Sequence, residues 1–318
     1  MSIDLLAWRH SPDQDRLSIE QTLSRACDAK DPQLSLLAVQ AVTPVTCRLR
    51  ASTTVLGALE RSDADASSAL LSADLLNAAA AVELVHIGAV THDDVIDSVT
   101  TRSESPTVNA TAGNLQAILA GDFLMARASE YAAAHGTQIA QMLAETIGWI
   151  CEGRARQLQQ SGSARPTPEE RIDTISTRHA SLFSTGATIG ALVAGASSDS
   201  ADAIGQAGMA LGRSIAIFYD VTRIVSGDPW TGTGPLADLD RHVWTLPMTI
   251  AGPGLMDRAQ SGANPQELRD ELMAEPRASA ISMGRSELDA ARTGLEPGSP
   301  LHSACGIVAQ AFDQLARA

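Results

Sequence analysis

At 318 residues and 44% hydrophobic content the chain can bury a sizeable core, as one large domain or two ordinary ones. A formal net charge of −14 argues against a nucleic-acid backbone or an anionic membrane surface as the main partner. Aromatic residues make up 3% of an alanine-rich chain, which favours closely packed helices over sheets, so the expected class is all-α.

Ser11-Pro12 is a helix start, and helical pattern continues from there with short polar breaks at Asp31-Pro32, near Pro44, at Ser62 to Ser67 and at Pro106. His135-Gly136 ends another helix, and Thr137 is placed to cap the next. Later breaks fall at Ser161 to Pro168, Gly227 to Pro235, Gly252 to Pro265 and Gly294 to Pro300. These boundaries predict roughly ten helices in one domain spanning residues 1–318, with no repeat and no Gly-rich phosphate loop between a strand and a helix.

The N-terminus lacks a basic region followed by an apolar run, and the most apolar stretch, Leu75 to Val90, is interrupted by Glu83 and His86. Neither secretion nor a membrane span is expected. Cys27, Cys47, Cys151 and Cys305 show no CxxC or zinc-like spacing and are read as reduced thiols of a cytoplasmic protein. Lys30 is the only lysine, so cationic contacts fall to arginine, whose planar fork suits multidentate phosphate recognition.

The stretch THDDVID, Thr91 to Asp97, follows that apolar run directly. With about 3.6 residues per turn, His86, Asp93 and Asp97 point the same way as Val82, Ala89 and Val90, so the acids continue an apolar face. A solvated helix end and a metal site both remain open on this pattern alone. Two aligned carboxylates in a partly buried cleft would not both stay ionised without a cation, and a hard divalent ion such as Mg2+, shared with substrate phosphates, is one that fits.

ELVHIGAVTHDDVID, then Arg102, PTVN and AILAGDFL, resembles the first aspartate-rich region of the trans-polyprenyl diphosphate synthase family, geranylgeranyl diphosphate synthases in particular. The likeness runs from Arg48-Leu49-Arg50 to Thr245-Leu246-Pro247. It implies a helical bundle of the isoprenoid synthase type with a central cavity, a homodimer, and Mg2+-assisted joining of an allylic prenyl diphosphate to isopentenyl diphosphate. By the same resemblance Asp93 and Asp97 are Mg2+ ligands supported by Asp94, Arg102 contacts the allylic diphosphate, and Arg48, Arg50 and Arg178 are substrate-binding.

Departures from the family pattern are concentrated in the binding residues. The second aspartate-rich motif retains only Asp220, expected to ligate another metal ion, while Arg223 either replaces metal charge or pairs with Asp220 along the helix. Cys47 and Ser103 stand where cations are expected, Arg178-His179 replaces a Lys-Thr pair, and Thr233 replaces a loop lysine. These changes put binding of isopentenyl diphosphate in question. Ile139, Leu143, Ile147 and Ile150 form a stripe that leads to Arg154, which is either a compensating diphosphate contact or a snorkelling side chain near Glu152. By the same resemblance, the small Gly88 and Ala89 just before the acidic motif imply a product of twenty carbons or longer. Three classes follow: a prenyltransferase, a terpene-cyclase-like or diphosphate-releasing enzyme using the allylic substrate alone, and a non-catalytic subunit modulating an active synthase.

Overall fold

The structure is a computed structural model that describes residues 3–7, 9–44, 47–60, 71–161 and 165–318. The predicted break at 62–67, residues 162–164 of the break from Ser161 to Pro168, and the residues Val45 and Thr46 lie outside them.

The chain begins with α1 (Pro12–Ala26) and α2 (Pro32–Val42), each opened by a proline whose fixed φ suits a first helical turn. Asp31 caps α2 by accepting from the Leu34 amide at 2.9 Å. After α3 (Leu49–Leu59) comes α4 (Ala73–Ile96), capped by Ser72 through the Leu75 amide. Two short antiparallel strands, β1 (Thr101–Arg102) and β2 (Ser105–Pro106), then turn the chain into α5 (Val108–Ala112), α6 (Asn114–Ala133) and α7 (Thr137–Gln160). A full capping box between Thr167 and Glu170 starts α8 (Pro168–Ile175), which runs through a π-helical turn (Ser176–Ala180) into α9 (Ser181–Val193). α10 (Ser198–Val225) is followed by α11 (Ala237–Asp240), α12 (Leu246–Ala251), α13 (Gly254–Gln260), α14 (Pro265–Met273), α15 (Glu275–Arg292) and α16 (Pro300–Arg317).

The fold is all-α, but with more segments than the sequence pattern suggested. The surplus lies mainly between Val225 and Glu275, where four short helices stand, one of them, α13, inside the predicted break from Gly252 to Pro265. Such segments are too short to show a helical period, and their stability comes from packing around Ile224, Trp244, Met248 and Leu272.

α4 organises the half of the core built from α1 to α7. By length and hydropathy it could cross a membrane, yet Val82, Leu84, Val85 and Ile87 are fully buried in the protein, against α3, α6 and α9. A helix apolar on all sides belongs in such a core. Glu83 is carried in with it and accepts a hydrogen bond from the Ala51 amide at 2.8 Å. α3 and α9 pass so closely that a Cβ on Gly57 would meet the Ala187 carbonyl oxygen at 2.1 Å, and one on Gly190 the Thr54 carbonyl oxygen at 1.9 Å. α10 packs against α9, α15 and α16 and forms the other half of the core.

Candidate functional site

Side chains from α3, α4, α7, α8, the π turn, α9 and α10 line a cavity of about 480 Å³. The chain as a whole is strongly acidic, yet eight of the cavity-lining residues are arginines and five are acidic. What matters is how these charges pair.

On the α4 side, Asp93 Oδ2 accepts a hydrogen bond from Arg178 Nη2 at 2.7 Å, and Asp97 Oδ1 accepts one from Arg154 Nη2 at 2.5 Å. Arg154 Nε lies 3.1 Å from Asp93 Oδ1 but is poorly aligned for a hydrogen bond, so that contact is Coulombic. One guanidinium thus spans two carboxylates a helical turn apart. Local backbone structure brings the arginines there. A Cβ on Gly153 would stand 2.8 Å from the Arg178 Cβ and backbone nitrogen, so only glycine lets α7 approach the π turn closely enough to place Arg154 and Arg178 on the same acids. A π turn inserts a residue into the helical register and re-aims its side chains, which is how Arg178 reaches a helix 85 residues earlier.

Asp94 points elsewhere. About 100° around the helix from Asp93, it is buried, does not line the cavity, and takes Arg102 Nη2 and Nε on its two oxygens at 2.5 and 3.3 Å. Burial raises its pKa and Arg102 pulls it back down. Asp94 is therefore a structural partner of Arg102, where a supporting metal ligand was expected. Between the strands, Ser103 and Glu104 both adopt positive φ, as a tight two-residue hairpin loop requires, and the Ser103 amide donates to the Trp230 carbonyl at 2.6 Å.

The α10 side is drier. Asp220 accepts from Arg171 Nε at 2.9 Å and Nη2 at 2.7 Å, and from the Leu246 amide at 2.8 Å. Both side chains of this pair are about 5% exposed or less. Arg223 does not pair with Asp220 along the helix; it hydrogen-bonds Asp238 and lies 3.8 Å from Asp228. These acids raise its pKa against the opposing effect of burial.

Arg48 gives both Nε and Nη2 to Glu20, at 2.6 and 2.8 Å, so that guanidinium is largely committed within the scaffold. Arg50 sits over the Phe183 ring at 4.7 Å with Nη1 3.1 Å from His86 Nε2. Burial first, then the nearby arginines, hold His86 and His179 well below their ordinary pKa, so both imidazoles are neutral and His86 Nε2 can accept from Arg50. The Arg50 Nε and Tyr219 hydroxyl are buried cavity-lining donors with no hydrogen-bond partner among the described residues. Tyr219 packs against Trp230 with ring centroids 4.2 Å apart and planes tilted by 52°.

Sequence reading missed Arg171 and Trp230. Arg171 lies seven residues before Arg178, a spacing that puts both on nearly one helix face, and this was the available signal. Gly88 corrects an expectation: its Cβ position meets Met125 of α6 at 2.9 Å, so it packs between helices and does not widen the cavity.

A divalent metal ion would have to use these carboxylates. At the α4 pair three of four oxygens are within ion-pair distance of a guanidinium, and Asp220 has both oxygens engaged. Among the described residues no group of three or more His, Cys, Asp or Glu side chains is placed to share an ion. As arranged, the site does not fit the Mg2+ set of Asp93, Asp94, Asp97 and Asp220 expected from the sequence.

The polyprenyl synthetase family model matches residues 35–270. A nonaprenyl diphosphate synthase of Mycobacterium tuberculosis is 30% identical over 174 residues, 55% of this chain and 52% of that protein. A geranylgeranyl diphosphate synthase of Methanosarcina mazei is 30% identical over 178 residues, 54% of this chain and 55% of that one. The matched region thus spans about half the length of these curated relatives. Among solved structures, a polyprenyl synthase from Caulobacter crescentus complexed with calcium and isoprenyl diphosphate superposes with a TM-score of 0.84 at 22% identity, covering 100% of this chain and 99% of that one. A decaprenyl diphosphate synthase from Rhodobacter capsulatus gives 0.81 at 20% identity, covering 95% and 97%. At these identities the structural likeness establishes the fold.

Proposed function

Because the chain belongs to the polyprenyl synthetase family, we propose that it is a prenyltransferase that seats an allylic prenyl diphosphate in the arginine-lined cavity and transfers the prenyl group to isopentenyl diphosphate. One observation carries this reading: the same cavity presents Arg154 and Arg178 beside apolar walls at Phe183, Ile215 and Ala216. A diphosphate needs multidentate cationic donors, and a prenyl chain needs apolar cover.

In this reading the bond between the prenyl carbon and the diphosphate oxygen breaks, the pair of electrons leaves with the diphosphate, and the allylic cation is captured by the alkene of isopentenyl diphosphate with loss of a proton. Arg154 and Arg178 take up the charge that develops on the leaving group, as preorganised donors do when they act where charge appears. Phe183, Tyr219 and Trp230 shelter the cation from water. Mg2+ enters only if Arg154 leaves Asp93 and Asp97 free to hold it.

A product of twenty carbons or longer is the finer form of this proposal. Its support is the small Ala216 in the cavity wall and relatives named for products from geranylgeranyl to nonaprenyl, since Gly88 packs against Met125. A homodimer is supported by the exposed Leu115, Ile118 and Leu119 on α6 beside Ile96. A second reading, ionisation of the allylic substrate alone, is favoured by the commitment of Arg48 to Glu20 and of the Ser103 backbone to Trp230.

Product analysis after incubation with allylic diphosphates, with and without isopentenyl diphosphate and with and without Mg2+, separates these. Elongated diphosphates are expected. Hydrocarbon, alcohol or diphosphate release that ignores the second substrate would install the second reading, and inertness under all conditions would leave a non-catalytic subunit.

A further inference from the structure

The cation between Asp93 and Asp97 is part of the polypeptide. We propose that Arg154 is a built-in cation at this carboxylate pair, so that the cavity binds a prenyl diphosphate without requiring a divalent metal ion. The inference rests on the reading of the cavity as a prenyl diphosphate site and goes beyond it, because it replaces the metal ion by a side chain.

Three observations point the same way. Arg154 contacts one oxygen of each aspartate and Arg178 holds the remaining oxygen of Asp93, which supplies the positive charge that lets both acids stay ionised. A divalent ion would find one uncommitted oxygen at the pair and would have to expel an arginine to gain more. On the facing wall, Asp220 is bound by Arg171 through both oxygens and by the Leu246 amide in near-complete burial, so it has no place for a metal ion that the pair could share.

The arginines also retain capacity for an anion. A guanidinium has five donor hydrogens. Arg178 makes one hydrogen bond to Asp93, and Arg154 directs its remaining nitrogen to the Gln157 side chain at 3.2 Å, a neutral contact that a phosphate oxygen can displace. The Arg50 Nε and the Tyr219 hydroxyl, both buried on the cavity wall and without a hydrogen-bond partner among the described residues, add donors that a diphosphate would satisfy. Gly153 and the π turn bring Arg154 and Arg178 to the acids, so their charge is already at the pair when a ligand arrives.

The test is calorimetric titration of the full chain with inorganic diphosphate and with a prenyl thiolodiphosphate that does not ionise, in EDTA and in Mg2+, alongside Mn2+ binding read by electron paramagnetic resonance. Wild type should bind the prenyl analogue in EDTA within about threefold of its affinity in Mg2+ and should take up no Mn2+. Arg154→Gln should lose about tenfold or more in EDTA, recover when Mg2+ is added, and gain a Mn2+ site. Arg154→Lys, which keeps the charge, should still bind in EDTA. If wild type binds the analogue only with Mg2+, or takes up Mn2+ as readily as Arg154→Gln, the built-in cation is wrong while the prenyl diphosphate site stands. If the analogue binds under neither condition, the site reading falls, and this inference with it.

Discussion

The two acidic walls of the cavity use the same chemistry, aspartate against arginine, and differ in how much water reaches them. On α4, Asp93 and Asp97 keep 22% and 39% of their side-chain surface, and their arginines 11%. On α10, Asp220 and Arg171 keep 5% and 4%. An ion pair in the second environment is fixed, because separating its members strands two desolvated charges. In the first, carboxylates and guanidiniums can exchange partners with an incoming anion at modest cost. Burial therefore divides the two walls into a fixed one and an adjustable one, although both present an acid to the same cavity.

Removing one member of each pair is the strongest way to break this contrast. Asp220→Ala leaves Arg171 buried and unpaired and should cost about 3–5 kcal/mol of stability by chemical denaturation; a loss below about 1 kcal/mol would make the α10 wall as adjustable as the other. Gly153→Ala forces a methyl against Arg178 and should cost about 1–3 kcal/mol and weaken diphosphate binding, since it moves the turn that aims Arg178.

The neutral histidines between the walls give a pH test. His86 and His179 are held below their ordinary value of 6.5, so as pH falls through about 6.5 the unfolded chain takes up protons that the folded chain refuses. Stability contributed by their neutrality is complete above that pH and declines below it, by at most about 1.4 kcal/mol per pH unit for each histidine. His86→Gln, which can still accept from Arg50, should flatten the pH dependence of melting below 6.5. An unchanged slope would remove His86 from the account. The smallest expected effect is that of Asp97→Asn, within about 1 kcal/mol of wild type because the side chain is partly exposed. A larger loss would place Asp97 with the scaffold.

Helical period alone aligned His86, Asp93 and Asp97, and the stripe from Ile139 to Ile150 led to Arg154, because α4 and α7 are long enough for a 3.6-residue repeat to show. The partners of those residues were not legible. Arg171 and Asp220 are 49 positions apart, and no local pattern ties them together. The π turn changes the register just before Arg178, and propensity gives no warning of it. Gly88 was misread for a related reason: a helix apolar on every side does not announce which face meets α6 and which meets the cavity. The resemblance in the acidic motif pointed to residues of this cavity, while the charges that line it depend on contacts between distant segments.

A crystal structure with a prenyl thiolodiphosphate bound tests the central claim most directly. The account predicts the diphosphate within hydrogen-bond distance of Arg154 and Arg178, its chain against Phe183 and Ile215, and Asp220 still held by Arg171. A diphosphate bound away from the α4 wall, or a chain lying outside the cavity, would contradict it.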